Sequence, residues 1–135
     1  MKGWTPVAGR LLLDTSVVVD LFAGDSAVQR ILATADEVFV PSVVVGELFY
    51  GAQRSSRRAE NYAQVETFAS ATAVLPCDLS TARHYGSIKD ALRSKGRPLP
   101  ENDIWIAALA RQHALTLATR DAHFREIDGL ALLAW

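Results

Sequence analysis

The sequence predicts an α/β fold: a central, mostly parallel sheet of four to five strands with helices on both faces. Two observations predict it. Short apolar runs rich in β-branched residues alternate along the chain with longer segments of helical periodicity. At 135 residues, half of them hydrophobic, the chain is long enough to bury a real core, and no linker or repeat interrupts it. We therefore interpret residues 1–135 as a single domain.

The first half of the chain is predicted to hold two strands and four helices. The run RLLLD is a strand, and the short helix that follows it, TSVVVDLFAG, ends at Gly24. A second helix, DSAVQRILATA, begins with an Asp-Ser cap, and EVFV forms the next strand. Pro41 and Ser42 begin the helix SVVVGELFYGAQRS, because proline is accepted in a first turn. The amphipathic segment SRRAENYAQVETFASA is a further helix.

The second half begins with a short strand, AVLP. It is followed by a long helix, DLSTARHYGSIKDALRSKG, which is capped by Asp78 and stopped by Gly96. A proline-rich loop, RPLPE, precedes the helix NDIWIAALARQHA. The last strands are LTLAT and LALLAW, with a helical turn, RDAHFREI, between them. Strands that alternate with helices in this way predict parallel pairing.

Composition restricts the class of protein. No apolar run reaches the ~20 residues of a membrane span, and MKGWTPVAGR lacks the apolar region of a signal peptide. The single cysteine, Cys77, allows no internal disulfide and no cysteine-based zinc site, so we expect a cytoplasmic protein. A net charge of −1 argues weakly against a nucleic-acid partner, although basic residues cluster in QRSSRR and KDALRSKGR. Solvated helix ends carry such clusters equally often.

Four acidic residues lie where predicted strands end or helices begin. Asp14 ends the first strand, and Asp121 follows LTLATR. Glu47 lies in the helix after EVFV, and Asp103 opens the helix after the proline-rich loop. In parallel α/β sheets, ligands bind beyond the carboxyl ends of the strands. The four side chains are therefore expected to meet at one end of the sheet.

Each of these carboxylates also has a purely structural interpretation. Asp14, Asp103 and Asp121 are plausible at helix starts, with Asn102 as a competing cap. Glu47 fits an exposed stripe, although no basic residue stands three or four positions from it to neutralise its charge. An unpaired buried carboxylate would cost several kcal/mol.

The joint occurrence of the four favours a cation site. Converging carboxylates repel one another, and a positive charge must offset that repulsion. An all-oxygen ligand set favours Mg²⁺ or Mn²⁺ over zinc. An acidic site with a divalent metal and basic surroundings indicates phosphodiester hydrolysis.

Four segments of the chain, in this order, resemble the PIN-domain ribonuclease toxins of the VapC type, from type II toxin–antitoxin systems. They are LLLDTSVVVDLF, VPSVVVGELFYGA, PLPENDIWIAALA and LATRDAHFREIDGLALLAW, and the resemblance covers nearly the whole chain. It implies a PIN-like domain and an endoribonuclease dependent on Mg²⁺ or Mn²⁺. A metal-activated water would cleave RNA, often tRNA or rRNA, leaving 5′-phosphate and 3′-hydroxyl ends. The resemblance also implies a cognate antitoxin that blocks the site, and a homodimer.

The resemblance assigns roles to individual residues. It makes Asp14, Glu47, Asp103 and Asp121 the catalytic, metal-binding quartet. Thr119 matches the hydroxyl position just before the last acid, where the family positions a water or a carboxylate.

Other polar residues are candidates for binding RNA. Ser16 and Asn102 match the family's flanking polar positions. Arg54, Arg57 and Arg58 follow the helix of Glu47 and suit RNA phosphates. They suit an acidic segment of the antitoxin equally well.

Other α/β proteins match less well. An aspartyl-phosphate enzyme of the haloacid-dehalogenase kind would carry a second acid two residues after Asp14, where Ser16 stands. Neither a phosphate-binding Gly-Lys-Ser/Thr loop nor a nucleophile elbow is present. The alternative from a different class is a catalytically silent module that binds RNA or the antitoxin. Asp20, six residues after Asp14, is expected on the surface.

Overall fold

The computed structural model describes residues 9–135, so residues 1–8 of the N-terminal lead Met1–Gly9 lie outside the described part. The sheet contains strands β1 (Arg10–Leu13), β2 (Glu37–Pro41), β3 (Ala73–Leu75), β4 (Thr116–Ala118) and β5 (Leu132–Leu133). The helices are α1 (Thr15–Phe22), α2 (Ser26–Thr34), α3 (Ser42–Arg54), α4 (Arg58–Ala71), α5 (Leu79–Ser94) and α6 (Glu101–Gln112). A 3₁₀ turn spans Ala122–Glu126. The predicted α/β class is confirmed.

All five strands pair in parallel, in the order β3-β2-β1-β4-β5. The chain builds outward from β1 to β2 and β3, and then returns to the other side of β1 with β4 and β5. The switch point therefore lies between β1 and β4, which is where α/β sheets of this kind bind ligands. The ladder continues one residue past the end of β1, since the Asp14 N–H donates to the Ala118 carbonyl at 3.2 Å.

The central strand β1 is apolar after its first residue, Arg10, because helices cover both faces of the sheet. Leu11, Leu12 and Leu13 of β1 are all fully buried. Helix α1 forms although three of its eight residues are valines, which disfavour helices. Its N-cap Asp14 and the complete burial of Val17 and Val18 outweigh that preference.

Most predicted caps are present. Asp25 caps α2, and Asp78 caps α5 in a capping box with Thr81. Helix α5 ends before Gly96. The φ of Gly96 is +67°, a left-handed backbone conformation that favours glycine.

Helix α6 differs slightly from its prediction. It begins at Glu101 after an N-cap at Pro100, so Asn102 lies inside the first turn and is not the cap. The predicted opening of this helix by Asp103 is therefore wrong by two residues. Asp103 is the third helical residue, where its charge still suits the helix dipole. None of the helices within residues 9–135 is long and apolar enough to cross a membrane.

Candidate active site

Asp14 is placed by the end of β1 and the start of α1. Its Oδ1 accepts the Thr15 N–H at 2.8 Å, which caps α1. Its Oδ2 accepts the Thr119 hydroxyl at 2.8 Å and the Ser16 hydroxyl at 3.4 Å. Only 6% of Asp14 is exposed. The capping interpretation is therefore confirmed for Oδ1, while Oδ2 faces the Thr119 and Ser16 hydroxyls.

Thr119 connects two of the candidate acids. The residue is fully buried just beyond β4, and its N–H donates to the Leu133 carbonyl at 3.1 Å. Its hydroxyl donates to Asp14 and accepts the Asp121 N–H at 3.0 Å. Asp121 in turn caps the 3₁₀ turn, where Oδ1 accepts the His123 N–H and lies 2.9 Å from His123 Nδ1.

Glu47 reaches the site from the second turn of α3. Its Oε1 accepts the hydroxyl of Thr15 at 3.1 Å, and the side chain is half-buried. Thr15 is not among the site residues predicted from the sequence. A hydroxyl beside Asp14 was visible in the sequence, but its partner depends on how α1 packs on α3.

The first turn of α6, which carries Asp103, is fixed to α5. The Tyr85 hydroxyl donates to the Glu101 carboxylate, 2.7 Å from Oε2, and Lys89 forms an ion pair with the same carboxylate. The Tyr85 ring stacks on Trp105 with centroids 4.2 Å apart. These contacts set the position of Asp103 relative to the sheet.

The pKa of Asp103 responds to the charges of the other three candidate acids. Burial, and after it the charges of Asp14, Asp121 and Glu47, together raise the pKa of Asp103 to about 6, while His123 acts in the opposite direction. Each of the other three acids lies near enough to repel the Asp103 carboxylate. The structure therefore places these three acids within electrostatic range of Asp103.

The four carboxylates do not form a tight cluster. Among residues 9–135, no three His, Cys, Asp or Glu side chains form a ready-made metal-ligand cluster. Repulsion acts over several ångströms, whereas a shared ligand position would bring oxygens to about 2 Å from one ion. Each of three acids instead points its oxygens at a neighbouring donor: Asp14 at Thr119, Glu47 at Thr15 and Asp121 at His123.

This donor set fits a hard divalent cation. All four ionisable groups supply oxygen, and their mutual repulsion is what such a cation relieves.

The candidate RNA contacts lie in different surroundings. Arg57 forms an ion pair with Glu60, and Arg58 Nε donates to the Gln53 carbonyl at 3.1 Å. Arg54 is exposed, and none of the ion pairs within residues 9–135 involves it. Asn102 is exposed in the first turn of α6, whereas Ser16 contacts Asp14 directly.

Comparison with known proteins places these features in a family. A family model described as PIN domain matches residues 11–130. Ribonuclease VapC2 of Haemophilus influenzae is 33% identical over 129 residues, covering 93% of this chain and 98% of that protein. The tRNA(fMet)-specific endonuclease VapC of Shigella flexneri is 31% identical, with the same coverage of both chains. Among solved structures, VapBC-5 of Mycobacterium tuberculosis, a member of the VapBC family of toxin–antitoxin systems, matches with a TM-score of 0.75 and 32% identity. This match covers 96% of the present chain and all of the other.

Proposed function

Since this chain belongs to the PIN domain family, and within it to the VapC ribonucleases, we propose that it is a metal-dependent endoribonuclease and the toxin of a toxin–antitoxin pair. The observation that supports the proposal is the position of Asp103 near the sheet's switch point, where burial and then the charges of Asp14, Asp121 and Glu47 raise its pKa. A catalytically silent module would gain nothing from such an arrangement and would bear its repulsion.

Asp14, Glu47, Asp103 and Asp121 would hold Mg²⁺ or Mn²⁺. When bound, the ion would activate a water molecule and offset the charge that develops on the phosphate. The role of Thr119 is to fix the two acids beside it, since its one hydroxyl donates to Asp14 and accepts from the backbone of Asp121.

The substrate is RNA, and we propose tRNA as the class to test first, because one relative is named a tRNA(fMet)-specific endonuclease. Arg54 is the residue best placed to contact a phosphate, since it is exposed at the end of the helix that carries Glu47. Arg57 and Arg58 add to the local positive potential, although both already contact neighbouring groups. Ser16 and Asn102 would line the entrance to the site.

A cognate antitoxin is the proposed protein partner. A groove of about 330 Å³ adjoins Glu47 between α1, α3 and α4. Its lining includes the apolar side chains of Phe22, Leu48, Val65 and Val19, the last of which is 51% exposed. An antitoxin segment with an apolar face and a basic side chain would complement both this groove and the carboxylates beside it.

Three further features complete the proposal. The chain acts as a single domain over residues 1–135, as a homodimer, in the cytoplasm where its RNA substrate lies. Light scattering on the purified toxin would test the homodimer, for which twice the 14.7 kDa chain mass is expected.

The function is tested by incubating total bacterial RNA with the purified protein, free of antitoxin, in Mg²⁺, in Mn²⁺ and in EDTA. We expect discrete fragments with 5′-phosphate ends, lost in EDTA and lost with Asp121→Asn, a change that preserves the cap of the 3₁₀ turn. Sequencing of the fragment ends identifies the target. Fragments that persist in EDTA would contradict the metal-dependent mechanism. Absence of cleavage, together with harmless expression in a bacterium that lacks the antitoxin, would favour the silent module.

A further inference from the structure

Arg120 stands between Thr119 and Asp121, and its side chain extends away from both of them. Nη1 lies 3.0 Å from Asp20 Oδ2 and 3.1 Å from Asp25 Oδ2, and Nη2 lies 3.4 Å from Asp25 Oδ1. One guanidinium thus joins the loop after β4 to the last turn of α1 and to the start of α2. Asp20, which we expected on the surface, is about one-third exposed and belongs to this ion-pair cluster.

The acidic partners of Arg120 are themselves held in place. Asp25 is the N-cap of α2, and its Oδ1 accepts the N–H groups of Ala27 and Val28 at 2.9 and 3.1 Å. The Val28 N–H, and after it Arg120, hold the pKa of Asp25 below its usual range, so Asp25 is ionised near neutral pH. On the opposite side, the Arg120 guanidinium carbon lies 4.9 Å from the centre of the Trp135 ring.

The placement of Asp121 depends on this loop. Thr119 is held by the sheet, because its N–H pairs with the Leu133 carbonyl. Asp121 lies two residues beyond that pair and outside the sheet, where its N–H bond to the Thr119 hydroxyl is its link back to the strand. Arg120 supplies a second link, through a planar group whose donors fix both distance and orientation.

We propose that Arg120 is a positioning residue for the acidic site. Its ion pairs with Asp20 and Asp25 hold the loop after β4 so that Asp121 stays beside Asp14, with which it shares the Thr119 hydroxyl. This inference rests on the proposed metal-dependent function. It predicts that a loosened loop weakens the binding of a divalent cation more than it lowers the rate of cleavage at saturating cation.

The direction of the change in Mn²⁺ affinity distinguishes a positioning role for Arg120 from a purely electrostatic one. Arg120→Met removes a positive charge near a cation site while keeping an unbranched stem to pack on Trp135. By charge alone, the variant would bind Mn²⁺ more tightly than the native protein. Positioning predicts the opposite: binding weaker by about tenfold, the lower end of what supporting residues contribute to metal affinity.

A second variant removes the same ion pairs by changing the acidic partners of Arg120. Asp20→Asn combined with Asp25→Asn leaves Arg120 in place, and asparagine at position 25 still caps α2. We expect the same weakening, with no further loss when Arg120→Met is added, because interactions within one network are not additive. Arg125→Met is the matched control, since Arg125 is exposed in the neighbouring 3₁₀ turn and carries the same charge.

The experiment measures Mn²⁺ affinity by electron paramagnetic resonance, and the cleavage rate of tRNA as a function of Mn²⁺ concentration. Weaker binding in Arg120→Met, a saturated rate within about twofold of native and an unchanged Arg125→Met control would support the proposal. Equal or tighter Mn²⁺ binding in Arg120→Met, or additive losses of affinity in the combined variant, would overturn it.

If Arg120→Met does not fold, the Mn²⁺ affinity of Arg120→Lys tests the proposal instead. That variant keeps the charge but lacks the planar fork for two acids, and native affinity in it would count against positioning. A native protein that binds Mn²⁺ but cleaves no RNA would refute the proposed function alone and leave the binding comparison intact.

Discussion

At the residue scale, burial and then the charges of Asp14, Asp121 and Glu47 make the ionisation of Asp103 unfavourable. Its pKa of about 6 in the folded protein lies above the value of about 3.9 expected in the unfolded chain. The folded state therefore binds more protons than the unfolded state between these two values. The resulting contribution to stability is fully present below pH ~4 and is lost as the pH rises through ~6. Near neutral pH, the ionised Asp103 carboxylate thus opposes folding.

This cost predicts that Asp103→Asn stabilises the metal-free protein. After allowance for solvent screening of a half-exposed group, we expect a gain of about 1 kcal/mol at pH 7.5, or roughly 3 °C in Tm. The difference in Tm between variant and native protein should shrink as the pH falls toward 4. Thermal unfolding in EDTA across this range measures it, and a difference that does not change with pH would contradict the shifted pKa.

Thr119 offers a second test at this scale. Thr119→Val keeps the shape of the side chain but leaves Asp14 Oδ2 and the Asp121 N–H without their shared partner, at a cost of about 1–3 kcal/mol. We expect cleavage to fall at least about tenfold. Thr119→Ser keeps the hydroxyl and should keep most of the activity. Denaturant unfolding and cleavage rates test both variants, and full activity in Thr119→Val would remove Thr119 from the site.

At the scale of elements, the site is assembled where β1 and β4 end side by side. The sequence was sufficient to predict every strand and helix, because each apolar run, cap and glycine stop acts locally. It was also sufficient to predict that Asp14, Asp103 and Asp121 lie at or near helix starts, whereas Glu47 lies in the second turn of α3. It was not sufficient to predict the contact of Thr15 with Glu47, which depends on how two helices are rotated against each other. Nor could it predict the reach of Arg120 to acids about 100 residues earlier in the chain.

Two helix caps in this chain provide a matched pair. Asp14 caps α1 and Asp78 caps α5, but only Asp14 lies at the switch point. Asparagine caps helices about as well as aspartate, so Asp14→Asn and Asp78→Asn should both fold with nearly native Tm. Asp14→Asn should abolish cleavage, and Asp78→Asn should leave it unchanged. A large fall in Tm for Asp14→Asn alone would indicate that its charge serves α1 rather than the site.

At the scale of the whole molecule, the distribution of charge suits an RNA substrate better than the net charge of −1 suggests. Setting aside the four site acids leaves 11 acidic residues against 14 basic ones. Basic residues outside the site can then contribute to RNA binding, with an affinity that falls as salt rises.

A substitution of Arg54 tests whether basic residues outside the acidic site bind RNA. If the Arg54 guanidinium contacts a phosphate, Arg54→Ala should raise KM without lowering kcat, and should reduce the slope of log KM against log salt by about one. Arg30→Ala is the control, because Arg30 is an exposed arginine on α2. Cleavage of tRNA between low and moderate salt provides the slopes. Equal slopes in the native protein and Arg54→Ala would exclude the contact.

The central claim is that four carboxylates converge on one divalent cation, and crystals of the protein soaked in Mn²⁺ test it most directly. We predict anomalous density in the space between Asp14, Glu47, Asp103 and Asp121, within about 2–2.5 Å of carboxylate oxygens, and none at that place in Asp14→Asn crystals. Saturating Mn²⁺ that leaves this space empty in crystals of a protein that cleaves RNA would contradict the account.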